Sequence, residues 1–259
     1  MEVKIFQIDA FAETVFEGNP AAVCPLDKWL PDDVLQRIAQ ENNLSETAFF
    51  IKEGNSYHIR WFTPVFEVDL CGHATIATAF VIFEILKNEI QKITFNSRSG
   101  ELIVTKKGEY IELNFPVAEI IQCETPPQIS QAFGKEPIEV WCSDDYMVVF
   151  ENESDIKSLS PNFTILNELE CRGVIATSKG SEVDFVSRFF APRCGVNEDP
   201  VTGSAHCKLI PYWAQRLGKN SLTALQLSQR GGKLLCELIN DHVLIAGKAV
   251  KYLEGTIEI

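Results

Sequence analysis

Between Asp69 and Phe80 the chain reads DLCGHATIATAF, a thiol, a glycine and an imidazole directly ahead of an apolar run of helical character. Cys71 is a candidate nucleophile and His73 a candidate base. A buried helix opening at Gly72 presents free backbone N–H groups and the positive end of its dipole, which suits an anion such as a carboxylate. A second cluster, NEDPVTGSAHC (197–207), again sets polar residues around a glycine, Gly203, at the mouth of a helix. A third candidate is Glu46 in ENNLSETAFF (41–50), a carboxylate at the start of a strand. Partial enclosure there would raise its pKa by desolvation and make it a general acid/base near neutral pH.

These clusters are related. IRWFTP (59–64) and SRFFAP (187–192) share the pattern Arg, aromatic, Phe, x, Pro at a separation of 128 positions. Downstream, CGHAT (71–75) answers to TGSAH (202–206), and NSRSGELIV (96–104) to LSQRGGKLL (227–235). The alignment sets Cys71 against Thr202, Gly72 against Gly203 and Glu46 against Gly173. A proton-transferring residue need not be duplicated, so the unmatched Glu46 gains weight as a catalytic candidate. Arg60 and Arg188 occupy one repeat position, which favours a shared structural role. Glu198 and Asp199 enter with three residues inserted before the second glycine. Glu198 reads as a helix-dipole partner or cap; for Asp199, held by Pro200, a structural and a catalytic role stand level.

The elements that position these residues repeat as well. PDDVLQRIAQEN carries Val34, Leu35, Ile38 and Ala39 at helical spacing, with Asp32 and Asp33 in the first turn. Strands follow in TAFFIK and YHIRWF, then the glycine-initiated helix, then three more strands. The second half runs through SPNFTILNELE, GVIATS, VDFVSRFF and its own glycine-initiated helix, with Pro211 inside it and Gly218 as C-cap. Two copies of one α+β unit are expected, residues 1–117 and 118–259, each a curved, barrel-like, mostly antiparallel sheet wrapped round a central helix. The final strand is expected to pack back on the first copy, and the ligand in the cleft between the copies.

The net charge of −13, with no run of five or six like charges, argues against nucleic acid or an anionic membrane as partner. The longest apolar run, 74–86, is too short to span a bilayer, and the N-terminus lacks a signal-peptide pattern. A cytoplasmic protein is expected, with its eight scattered cysteines mostly buried as small hydrophobes. Neither cysteines nor histidines cluster at zinc-ligand spacing, so no metal is expected. Dinucleotide, P-loop and nucleophile-elbow signatures are absent, and QRGGK (229–233) reads as a turn between strands.

GNPAAVCPL (18–26), ENNLSETAFF, RWFTP…DLCGHAT (60–75) and FAPRCGVNEDPVTGSAHC (190–207) together resemble the phenazine-biosynthesis PhzF-like proteins. These are related in fold to diaminopimelate epimerase and proline racemase. The resemblance covers essentially the whole chain. It implies a cofactor-free isomerase, commonly a homodimer, that moves a proton on a small carboxylate-bearing substrate. It assigns the acid/base role to Glu46, and polar or catalytic roles to His73, Asp199 and Ser204. Gly72, Thr202, Gly203 and Asn19 then contact the substrate. The related racemases use two cysteines, one at each helix start. Here only Cys71 is present and Thr202 stands opposite, which disfavours a two-thiol mechanism. Two rivals remain: a Cys71-dependent racemase or epimerase, and a non-catalytic ligand-binding protein on the same fold.

Overall fold

In the computed structural model, which describes residues 1–86 and 90–259, the chain divides into two compact units. The first comprises Met1–Phe115 with Leu244–Ile259, and the second Pro116–Val243.

The first unit begins with β1 (Glu2–Ala10), β2 (Asn19–Pro25), α1 (Asp32–Asn42), β3 (Glu46–Glu53), β4 (Ser56–Phe62) and the short β5 (Glu67–Val68). After α2 (Gly72–Phe80) come β6 (Lys92–Ser97), β7 (Gly100–Lys107) and β8 (Tyr110–Pro116). The last strand, β18 (Ala249–Glu258), lies antiparallel to β1 from Glu2–Glu258 to Ala10–Ala249, with a register shift after Gln7. The alternation of β4 decides which face is buried: Tyr57, Ile59 and Trp61 point into the core while His58 and Arg60 are partly exposed. Seven of the nine α2 residues are buried, from His73 to Ala79. The apolar run expected as one helix over 74–86 is α-helical only to Phe80, and a single π-helical turn follows over Val81–Ile85.

The second unit holds β9 (Ile121–Gln122), α3 (Pro127–Phe133), β10 (Glu139–Cys142) and β11 (Tyr146–Val149). Then follow α4 (Glu153–Ser158), α5 (Phe163–Leu166), β12 (Val174–Lys179), β13 (Phe185–Ala191) and β14 (Val196–Asp199). It closes with α6 (Gly203–Leu217), β15 (Ser221–Gln226), β16 (Gly232–Ile239) and the first two residues of β17 (His242–Gly247), whose remainder belongs to the first unit. Ile129, Phe133, Val148, Phe150, Ile156, Val186 and Phe190 form one buried cluster beneath α3–α5. Pro211 sits within an unbroken α6 and removes the N–H that Cys207 O would accept four residues back. That carbonyl instead accepts from Ala118 N at 3.2 Å, so the proline frees a helix carbonyl for a tertiary contact.

The repeat extends to the strand ladders. In the first unit β1–β2 is antiparallel, β2–β3 parallel, β3–β4 antiparallel, β4–β5 antiparallel, β4–β6 parallel and β6–β7 antiparallel. In the second, β10–β11, β11–β12, β12–β13, β13–β14, β13–β15 and β15–β16 show the same senses in the same order. Ala48 pairs with Trp61 as Ile175 pairs with Phe189, so the registers themselves set Glu46 against Gly173.

The two arginines at the repeat position each hold a glutamate of their own unit. Arg60 grips Glu67 with two hydrogen bonds of 2.7 Å, and Arg188 grips Glu198 with bonds of 2.7 and 2.8 Å. Beneath the guanidinium groups lie Phe62 at 5.1 Å and Phe190 at 4.9 Å. Glu198 therefore ties one strand to the next and does not cap α6, a correction to the sequence expectation. A 3-10 turn, Pro192–Cys194, opens the longer connection at the proline that answers to Pro64.

The cysteines also depart from expectation. All eight are free thiols, but only Cys24, Cys71, Cys207 and Cys236 are buried, and Cys194 is exposed. Among the described residues, no helix is long and apolar enough to cross a membrane.

Candidate active site

In the first unit, the start of α2 meets the starts of β2 and β3. Cys71 is the N-cap, in extended conformation, and no side chain caps the helix. Its carbonyl accepts from the Thr75 hydroxyl at 2.5 Å. His73, one residue into the helix, is almost fully buried. Its Nδ1 lies 3.2 Å from the amide nitrogen of buried Asn19 and 3.6 Å from Cys71 Sγ. Both neighbours carry protons to donate, so Nδ1 is the accepting nitrogen and the ring proton sits on Nε2. Nε2 stands 3.2 Å from Glu46 Oε2, without the alignment of a formed hydrogen bond. Desolvation pushes the His73 pKa down to about 3, so the ring is neutral across the physiological range. The Glu46 side chain retains 18% exposure, enough for a ligand to reach it.

Glu46, Cys71 and His73 place carboxylate, thiol and imidazole donor atoms within 4.8 Å of one another. A glutamate, a thiol and a histidine are a possible soft-cation set. The two ring nitrogens of His73 face different partners, Cys71 at Nδ1 and Glu46 at Nε2.

In the second unit, the start of α6 repeats this plan with different groups. Thr202 is the N-cap, again without a side-chain cap. Its hydroxyl donates to Asp199 Oδ2 at 2.5 Å and its backbone N–H to Gln226 Oε1 at 2.9 Å. The Gln226 amide returns two bonds, to Asp199 O at 2.8 Å and Thr202 Oγ1 at 3.1 Å. Buried Gln226 thus braces the loop that carries Asp199, a role that its sequence context in LQLSQ did not signal. His206 takes the place of Thr75: its Nδ1 donates to Thr202 O at 2.8 Å, and burial pushes its pKa down to about 4. Ser204, the counterpart of His73, is partly exposed and accepts from Arg172 Nη1 at 2.9 Å.

The structure thus brings Asn19, Glu46, Gly72 and His73 together in one unit, and Asp199, Thr202, Gly203 and Ser204 together in the other. A groove of about 780 Å³ between α1 and the end of β18, lined by Leu30, Val34, Ile38 and Ile257, includes none of them.

Comparison with known proteins supplies the family. The pattern of phenazine biosynthesis-like proteins matches residues 8–255. The chain belongs to the PhzF-like family. It is 52% identical over 259 residues to an uncharacterized isomerase of Pseudomonas aeruginosa, covering 100% of both chains. It superposes on the crystal structure of a PhzF family protein from Enterococcus faecalis with a TM-score of 0.98 and 48% identity, covering 100% of both. A probable proline racemase from Agrobacterium radiobacter, solved with bound carbonate, matches at a TM-score of 0.66 and 10% identity over 99% of this chain and 92% of that one. That likeness speaks for the fold alone. This PhzF-like chain is accordingly an isomerase with the α+β, epimerase-like fold.

Proposed function

We propose that this PhzF-like isomerase acts without a cofactor on a small carboxylate-bearing substrate, with Glu46 taking a proton from one carbon and returning it to another. The observation that carries the reading is the 3.2 Å approach of Glu46 to a neutral His73 whose ring proton is directed to that side by Asn19. A carboxylate so placed is a base with a polar neighbour that can stabilise either protonation state. Asp199, braced by Thr202 and Gln226, is the second polar or acid/base group. In the second unit, Ser204 and the uncapped start of α6 offer donors for a carboxylate, and in the first the uncapped start of α2 does the same. Gly72 and Gly203 belong to those starts, where a backbone without a side chain admits close approach.

The rival reading makes Cys71 the base. For that, the thiol must lose its proton, and the imidazole beside it is the natural acceptor. A His73 whose pKa lies near 3 is too weak a base to hold that proton at neutral pH. Support therefore falls on Glu46 and leaves Cys71 as a thiol donor to Nδ1.

The test is exchange of deuterium from solvent into substrates drawn from a metabolite panel. Glu46→Gln, close in shape but unable to take a proton, should reduce turnover at least a thousandfold with the fold intact. Cys71→Ala should keep activity within about fivefold. Loss in Cys71→Ala with retention in Glu46→Gln would select the racemase reading, and no exchange with any carboxylate would favour a ligand-binding role.

A further inference from the structure

The asymmetry between the two units has a physical cause at Gly173. A Cβ there would lie 2.4 Å from Phe189 Cζ and 2.9 Å from Phe190 O, so no side chain fits where the first unit carries Glu46. Phe189 is the counterpart of Trp61 and fills that space. On the same ring, 5.1 Å from its centroid, lies the guanidinium of the preceding residue, Arg172. Where one unit offers a carboxylate, the other offers a stacked cation.

That cation is held from three sides. Its Nε donates to Asp145 Oδ1 at 2.9 Å and its Nη2 to Asp145 Oδ2, while Nη1 donates to Ser204 Oγ at 2.9 Å. Asp145 is fully buried and also receives the ammonium of Lys208, itself 3% exposed, at 2.5 Å. Lys208 lies one helical turn beyond Ser204 on α6 and reaches Asp144 at 2.6 Å as well. Two cations thus meet one deeply buried anion, with the outer Asp144 largely in solvent. The fork leaves one Nη1 proton unassigned beside the serine. Accepting from Arg172 also settles the serine's own role, because its hydroxyl proton is then the one left to donate outward.

We infer that Arg172 is a positioning residue: by donating to Ser204 Oγ it turns the serine hydroxyl into a fixed donor and gives the start of α6 a preference for an anionic carboxylate over a neutral group. The inference rests on the proposed role of Ser204 in binding a substrate carboxylate.

A lysine at 172 keeps the charge and can pair with Asp145, but it lacks the planar fork needed to reach Asp145 and Ser204 together. The experiment is an NMR titration of the full-length protein with sodium benzoate and with benzamide, following backbone amides of residues 202–206. The wild type should bind benzoate at least tenfold tighter than benzamide. R172K and S204A should each lose about tenfold in benzoate affinity, and R172K/S204A should be no weaker than either, since the two residues act as one. An R172K variant that binds benzoate like the wild type, or a double variant with additive losses, overturns the inference while leaving carboxylate binding in place. A wild type that does not prefer benzoate overturns carboxylate binding at Ser204 as well.

Discussion

At the scale of single residues, the chemistry of the first unit depends on which His73 nitrogen carries the proton. Asn19 and Cys71 decide this by occupying Nδ1. Burial sets the rest, because a charged imidazole loses its hydration in a fully enclosed site. The same holds for His206 beneath α6. Both folded-state values, about 3 for His73 and about 4 for His206, lie below the value near 6.5 of a histidine in an unfolded chain. As pH falls, the unfolded chain therefore takes up these protons first, and stability present above about pH 6.5 is lost progressively toward pH 4 and below. Between pH 7 and pH 5 the loss should be about 2 kcal/mol for each histidine. Urea unfolding at the two values checks this, and His206→Asn should flatten the pH dependence by about half. Equal slopes in the variant and the wild type would assign the acid sensitivity to other groups.

At the scale of elements, the repeat gives matched strands and helix starts, and side-chain volume then breaks the match. Phe189 crowds the space above Gly173, where the first unit carries Glu46. Gly173→Ala should cost about 1–3 kcal/mol, because the added methyl meets an aromatic ring and a backbone carbonyl in a packed interior. A drop in the urea midpoint without a change in slope would register it, and Phe189→Leu should recover part of the loss. If Gly173→Ala is as stable as the wild type, the ring can move, and the steric account of the asymmetry is wrong. The sequence alignment had already set Glu46 against Gly173. It had no means of showing that the glycine is required, since the crowding comes from a residue sixteen positions away.

At the scale of the whole molecule, β1 is flanked on both sides, by β2 and by β18. A strand from the far end of the sequence thus completes the sheet of the first unit. A chain ending at Lys248 should leave β1 an open edge, a template for intermolecular pairing. Hydrogen exchange in that truncated chain should show β1 amides losing protection, while β12 and β13 in the second unit keep theirs. Uniform loss through both units would instead mean that they fold as one cooperative block.

The sequence by itself determined the repeat and the two glycine-initiated helices, and it named Glu46, His73, Asp199 and Ser204 as candidates. These depend on residue type and spacing, which local rules read directly. Arg60 and Arg188 were legible for the same reason, since a duplicated position implies a duplicated role. The tertiary structure decided what rests on contacts distant in sequence. It assigned Glu198 to Arg188, gave Thr202 to Asp199 and Gln226, and fixed the His73 tautomer through a residue 54 positions away. It also brought Arg172 to Ser204 across 32 residues, beside a buried aspartate and lysine that no local pattern connects. Such pairings follow from strand register and core volume, which only the folded chain brings together.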